Sequence, residues 1–391
     1  MSNLKSLDQI LSRAVESKAM PGIVAAAATD QGTLYEGAFG KRELGKEAPM
    51  APDTVVWIAS MTKAITAAAV MQLVERGKLG LERPASEVVP DLARAKVLEG
   101  FDPAGKPRLR APKRPITLRH LLTHTAGFGY EIWNQGIIQY QTATGTPGVT
   151  TCTNAALTTP LMIDPGDRWE YGISIDWAGK MVEAASGQRL DRYFQENIFD
   201  PLGMKDTSFK ISPSQRARLA SVHQRAEDGA LAPIEFEIPQ APEFFMGGGG
   251  LYGTARDYLA FARMIMQGGR VDGAQVLRSE TVDLMAQNHI GALDIGVFKP
   301  AIPALSNEVA LFPGMRKGWG LSFLINDQPA PTGRSAGSLA WAGLANTYFW
   351  IDRTKRVSGV FLSQVFPFWD HTAIDLVTKF ETEVYRALKL R

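Results

Sequence analysis

Ala59-Ser60-Met61-Thr62-Lys63 sets a hydroxyl and an amine one helical turn apart. Thr54-Val55-Val56-Trp57-Ile58 leads into it as a short apolar approach. Ile65, Ala68, Ala69, Leu73 and Val74 then recur at helical spacing as far as Gly77. The pattern predicts a buried helix opened by Ser60, with Lys63 on the same face. A serine hydroxyl needs a proton acceptor before it can attack a carbonyl. A lysine can be that acceptor when burial lowers its pKa, and a helix N-terminus offers amides to developing negative charge. The spacing is weak by itself, because Ser2-Asn3-Leu4-Lys5 fits it equally well.

The rest of the chain must position that turn. Leu4, Leu7, Ile10, Leu11, Ala14 and Val15 form an amphipathic stripe, followed by a Pro21-Gly22 turn. Ile23–Ala27 and Thr33–Gly37 read as a hairpin around Asp30-Gln31-Gly32. From about residue 80 to 240, short helical patterns alternate with loops rich in Gly, Pro and Thr. Helices are expected at Leu118–Thr123, Ile175–Ser186 and Leu190–Ile198, the last stopped by Asp200-Pro201-Leu202-Gly203. The stretch Phe128–Pro165 has no period, and its Tyr130, Trp133 and Tyr140 suggest a pocket wall. Thr254-Ala255-Arg256-Asp257 resembles a capping box ahead of an apolar helix. Another patternless loop covers 290–315. Strands follow at Gly318–Ile325, Gly337–Gly343, Thr347–Asp352 and Val357–Gln364, then a closing helix at Thr372–Leu388. The expected class is α+β: residues 1–80 and 245–391 build one antiparallel sheet from both termini, flanked by helices, and 81–244 form a mostly helical insert.

Composition narrows the function. The 391 residues are 45% hydrophobic and 21% charged, as in a soluble globular protein. A near-balanced 42 basic and 40 acidic residues give no basic stripe for a nucleic acid. No window approaches 18 uninterrupted apolar residues, so no membrane span is expected, and the N-terminus lacks the apolar run of a secretory signal. Cys152 is the only cysteine, which excludes an internal disulfide and a cysteine-rich metal site. A cytoplasmic protein without metal or cofactor is the expectation.

Six motifs in one order carry a resemblance. Ser60-Met61-Thr62-Lys63 is followed by Leu121-Leu122-Thr123-His124-Thr125-Ala126-Gly127 and by Pro165-Gly166-Asp167-Arg168-Trp169-Glu170-Tyr171. Pro201-Leu202-Gly203-Met204, Gly248-Gly249-Gly250-Leu251 and Trp341-Ala342-Gly343 complete the set. Over nearly its whole length the chain resembles the serine β-lactamase and penicillin-binding-protein superfamily, and within it the class C β-lactamase-like carboxylesterases called family VIII. That resemblance implies the fold of the superfamily and a catalytic set of Ser60, Lys63 and Tyr171. It implies an oxyanion hole from the backbone amides of Ser60 and Leu344, and substrate contacts from Trp341, Gly343, Tyr130 and Trp133. The family's Y-x-N motif falls on Tyr171-Gly172-Ile173, and its K-T-G strand motif on Trp341-Ala342-Gly343. An indole and an isoleucine thus replace groups that would bind a β-lactam, which favours neutral esters.

The implied reaction is hydrolysis of small, short-chain carboxylic esters through a Ser60 acyl-enzyme, with Lys63 and Tyr171 handling the proton and transfer to an alcohol as a second outcome. The identity of the base in such S-x-x-K enzymes is disputed. The partner is a small ester, and the oligomeric state stays open. A β-lactamase or D-amino-acid peptidase, and a non-catalytic binding protein on the same fold, are the rival readings; weak β-lactam turnover is compatible with the first.

Three other motifs compete. Gly333-Arg334-Ser335-Ala336-Gly337 matches a nucleophile elbow, but a strand-like segment follows where a helix is needed, and the only downstream histidine is His371. His120 and His124 have zinc-ligand spacing, with Leu121 where the glutamate belongs and no third ligand. Gly248–Gly253 fits G-x-G-x-x-G without a preceding strand, so a tight turn suffices.

Overall fold

A computed structural model describes residues 4–389, so Ser2 of the first S-x-x-K match lies outside the described residues. Helix α1 (Lys5–Glu16) leads into strands β1 (Gly22–Thr29) and β2 (Gly32–Gly40). Helix α2 (Thr62–Glu75) follows, and after a long excursion come α3 (Ser174–Ser186) and α4 (Ala255–Met266). Strands β3 (Lys317–Trp319), β4 (Leu324–Asn326), β5 (Leu339–Gly343), β6 (Thr347–Asp352) and β7 (Val357–Leu362) precede the closing helix α5 (His371–Lys389).

The seven strands form one antiparallel sheet in the order β3-β4-β5-β6-β7-β1-β2. The N-terminal hairpin adds to the C-terminal strands through β1 and β7, with Val24 opposite Leu362 and Thr29 opposite Val357. Period-2 alternation distributes the aromatic rings between the faces. Phe349 meets Tyr258 of α4 on one face, whereas Trp350 and Phe361 meet Phe380 of α5 on the other. Gly359, opposite Trp350, leaves room for that indole: a Cβ there would fall 2.0 Å from it.

Helix α2 is buried on every side from Thr62 to Leu73, which explains why its apolar residues exceed a single stripe. It packs on α3, in the excursion between α2 and α4. That excursion also contains two hairpins, Val97–Phe101 with Pro107–Arg110 and His223–Arg225 with Leu231–Pro233.

Three local expectations change. Gly318–Ile325 is two strands, because Gly320 to Phe323 form a tight turn closed by the Gly320 amide on the Phe323 carbonyl. Helical structure from Leu190 runs on to Leu202, since Pro201 sits near the N-terminus of the last turn, where no amide is needed, and Gly203 ends it with φ 67°. The patternless Phe128–Pro165 holds a helix at Gln135–Thr144. Asn134 caps it by accepting from the amides of Gly136 and Ile137, and Gly145 closes it. Only Ile137 of that helix is buried, so no apolar stripe exists to be read. No helix among the described residues is long and apolar enough to cross a membrane.

Candidate active site

The Ser60 turn is held from three directions. Val56–Trp57 pair antiparallel with Tyr252–Gly253, and the Gln364 side chain bonds the amide and carbonyl of Trp57 as a strand would. Ala59–Met61 then form a single 3₁₀ turn that passes directly into α2. Ala59 has φ 46°, a left-handed conformation that costs a non-glycine residue on the order of 1–3 kcal/mol. Against this turn lies Gly343 at the end of β5, where a Cβ would sit 2.4 Å from the Ile58 carbonyl oxygen. Gly343 therefore permits close approach of strand and turn.

Lys63 is fully buried. Its Nζ lies 3.0 Å from Ser60 Oγ and 3.1 Å from the Tyr130 hydroxyl, and donates to the Gly248 carbonyl at 2.6 Å. It also stands over the rings of Tyr130 and Tyr171, 5.1 and 4.8 Å from their centroids. Loss of hydration pulls the Lys63 amine well below the ordinary lysine range, with the Asp176 carboxylate opposing the shift. Burial pushes the Tyr171 phenol upward, even though the Ser60 and Trp341 side chains facing its hydroxyl favour the anion. The Trp341 indole donates to that hydroxyl at 3.0 Å.

A cavity of about 100 Å³ opens beside Ser60, lined by Tyr130, Glu131, Trp133, Phe236, Leu305 and Leu344 among others. Ser60, Tyr130, Trp133 and Leu344 are thus brought together. Leu305 brings the 290–315 loop to the same wall, and Trp133 reaches that loop by donating to Ser306 Oγ at 2.9 Å. Trp341 and Gly343 stand elsewhere: the indole lies behind Tyr171, and Gly343 packs on the nucleophile turn. Ile173, at the motif position of the β-lactam-binding asparagine, precedes α3 and is not among the cavity residues. Tyr140 faces a different hollow, shared with Trp177 and Lys180. Larger hollows exist, but none of the three includes Ser60 or Lys63.

Sequence reasoning missed Asp176. It is fully buried in the first turn of α3, and its Oδ1 accepts from the Gly248 amide at 2.8 Å. Its signal was a carboxylate between Ile175 and Trp177 on an otherwise apolar helix face. Tyr130 was expected as a pocket wall and substrate contact, yet its hydroxyl also partners Lys63.

The competing motifs resolve into structure. The Ser335 amide donates to Asp352, and its carbonyl accepts from Asn326 and Ser338. His120 caps the 118–122 helix. His124 is buried among Trp169, Tyr171 and Trp319 with neither ring nitrogen hydrogen-bonded among the described residues, and burial keeps it neutral. Among the described residues no group of carboxylates, histidines and cysteine could hold a metal ion.

The Beta-lactamase family profile matches residues 7–379. Monacolin J acid methylbutanoyltransferase of Aspergillus terreus is 33% identical, covering 95% of this chain and 93% of that protein. Lovastatin esterase of Penicillium rubens is 31% identical over 97% of this chain and 98% of that protein. A mutant simvastatin synthase from Aspergillus terreus superimposes with a TM-score of 0.87 at 31% identity, covering 100% of this chain and 98% of the other. These relatives are acyltransferases and esterases on one fold.

Proposed function

The chain belongs to the Beta-lactamase family, and from that premise we propose that it is a serine carboxylesterase for small carboxylic esters, with alcohols competing with water for the acyl group. The observation that carries this reading is the fully buried Lys63 amine 3.0 Å from Ser60 Oγ.

In acylation, Ser60 Oγ bonds the ester carbonyl carbon as its proton passes to the neutral Lys63 amine. The carbonyl electron pair moves onto oxygen, between the amides of Ser60 and Leu344. Collapse of that intermediate breaks the carbon–alkoxy bond. Tyr171, kept protonated by burial, gives its proton to the departing alkoxide and recovers one from the Lys63 ammonium. Tyr171 is then the acid and Lys63 the base. Water or an alcohol attacks the acyl-enzyme by the reverse route.

The small cavity of about 100 Å³ beside Ser60 supports a short acyl chain. Its lining is largely apolar and includes no lysine or arginine, which suits a neutral ester better than a β-lactam carboxylate. The test is hydrolysis of p-nitrophenyl butyrate by wild type and Ser60→Ala, with nitrocefin in parallel and butanol as added acceptor. The reading expects Ser60-dependent p-nitrophenol release, butyl butyrate formation with the alcohol, and slow or no nitrocefin cleavage. Nitrocefin turnover exceeding ester turnover would overturn it in favour of a β-lactamase.

A further inference from the structure

Lys63 must become a cation each time it takes the Ser60 proton, although its side chain is fully buried. Its neighbours are Ser60, the Tyr130 and Tyr171 phenols and the Gly248 carbonyl, all neutral at neutral pH. The charged group acting on it is Asp176, which connects to it through Gly248 and lies beside Tyr130. Through Gly248, the aspartate accepts from the amide at 2.8 Å while that residue's carbonyl accepts from Lys63 at 2.6 Å. Through Tyr130, the phenol 3.1 Å from Lys63 also faces the Asp176 side chain.

Among the described residues, Asp176 Oδ2 is buried without a hydrogen-bond partner. A Cβ on Gly248 would lie 2.5 Å from that oxygen, so glycine is needed for the carboxylate to seat against this peptide. A buried carboxylate is costly unless compensated. The first turn of α3 supplies a favourable dipole, and the Lys63 ammonium supplies the countercharge when it forms.

We propose that Asp176 is a positioning residue for acyl transfer: it orients the Gly248 carbonyl on Lys63 and stabilises the ammonium that forms as Ser60 attacks. This rests on the Ser60–Lys63 reading above. The remaining titratable groups around the pair are Tyr130, Tyr171, His124 and Cys152; burial holds all four neutral at neutral pH. The carboxylate and amine therefore titrate as a pair. A negative Asp176 raises the Lys63 pKa, so its removal lowers the pH at which Lys63 becomes a free base.

The experiment is the pH profile of kcat/KM for p-nitrophenyl butyrate in wild type, Asp176→Asn and Asp176→Glu. Asparagine keeps an acceptor for the Gly248 amide, so the fold is expected to persist by circular dichroism. In Asp176→Asn the rising acid limb should move to lower pH by roughly one unit, as expected for loss of a nearby opposite charge. Its plateau should fall about tenfold. Asp176→Glu should hold the limb near wild type. An Asp176→Asn limb that superimposes on wild type overturns the proposal, as does an equal shift in Asp176→Glu. If Asp176→Asn does not fold, the Asp176→Glu limb decides alone. Activity surviving in Ser60→Ala instead defeats the reading beneath it, whatever Asp176 does.

Discussion

Ser60 and Ser335 both occupy partly exposed tight turns at opposite ends of β5, and both sit in sequences that match a hydrolase motif. Around Ser60 the chain supplies a buried amine, two phenols and a cavity. Around Ser335 it supplies a clasp. Arg334 pairs with Glu381 in the interior, Thr332 bonds the same carboxylate, and Asp352 holds the Ser335 amide. Arg334, Glu381 and Asp352 each have a partner, and among the described residues none of them bonds the Ser335 hydroxyl. At the Ser60 turn, by contrast, a desolvated amine is left to accept a proton. A serine becomes a nucleophile through the surroundings of its hydroxyl, and five residues of motif do not specify those surroundings.

The comparison breaks most directly at the two hydroxyls. Ser60→Ala is expected to lower kcat on p-nitrophenyl butyrate by on the order of 10⁴-fold or more. Ser335→Ala should stay within about twofold of wild type. If Ser335→Ala is the inactive variant, the assignment of the nucleophile is wrong at its root.

Next in size is the amine itself. Lys63→Met should reduce kcat/KM by roughly 10²–10⁴-fold, the range of general base catalysis. It should also lower the melting temperature, because the Tyr130 hydroxyl and Gly248 carbonyl lose a buried partner and the Asp176 carboxylate loses its countercharge. The pH dependence follows from the direction of the shift. Lys63 is a base only when neutral, and burial lowers its pKa, so activity rises with pH through a limb well below the ordinary lysine range. For stability, the folded pKa lies below the unfolded one. The penalty of the buried cation is then full at low pH and is relieved as pH rises from the folded value towards ~10.4. A limb near pH ~10 in the kinetics would contradict the geometry.

The glycines of the two turns sharpen the contrast. Gly343→Ala drives a Cβ into the Ile58 carbonyl and is expected to cost about 1–3 kcal/mol, with activity lost through displacement of Ser60. Gly337→Ala, at φ 77° with nothing within 4 Å, should cost about 1–2 kcal/mol of backbone strain and leave activity intact. Chemical denaturation with parallel assays separates the two. The smallest effect is at the indole: Trp341→Phe removes one donor to Tyr171, worth about 1 kcal/mol, and should lower kcat roughly fivefold with little change in KM. A rise in KM alone would return Trp341 to the substrate-contact role its motif implied.

Much of the fold was legible because local chemistry and burial agreed. The strands Thr347–Asp352 and Val357–Leu362 are mostly apolar, and both faces of each are buried along their whole length. The helix at Thr254 was announced by a cap, and the Thr254 side chain does accept from the Asp257 amide. The Asp257 carboxylate, however, turns away to Asp206 and Thr207, so only half of the expected box forms. The Gln135–Thr144 helix was illegible for the opposite reason: it is exposed, so its sequence was never constrained to a period.

By itself, the sequence determined that Ser60 and Lys63 share one face of a helix, because a covalent spacing of three residues and helical geometry leave little else to decide. It also determined which segments could pair as strands, since apolar runs bounded by turn residues carry that information locally. The tertiary structure decided the state of the amine. Gly248, Tyr130 and Asp176 lie 185, 67 and 113 residues from Lys63 in the chain, and only packing puts them around one nitrogen. Desolvation depends on everything that surrounds a group in space, so no stretch of sequence encodes it.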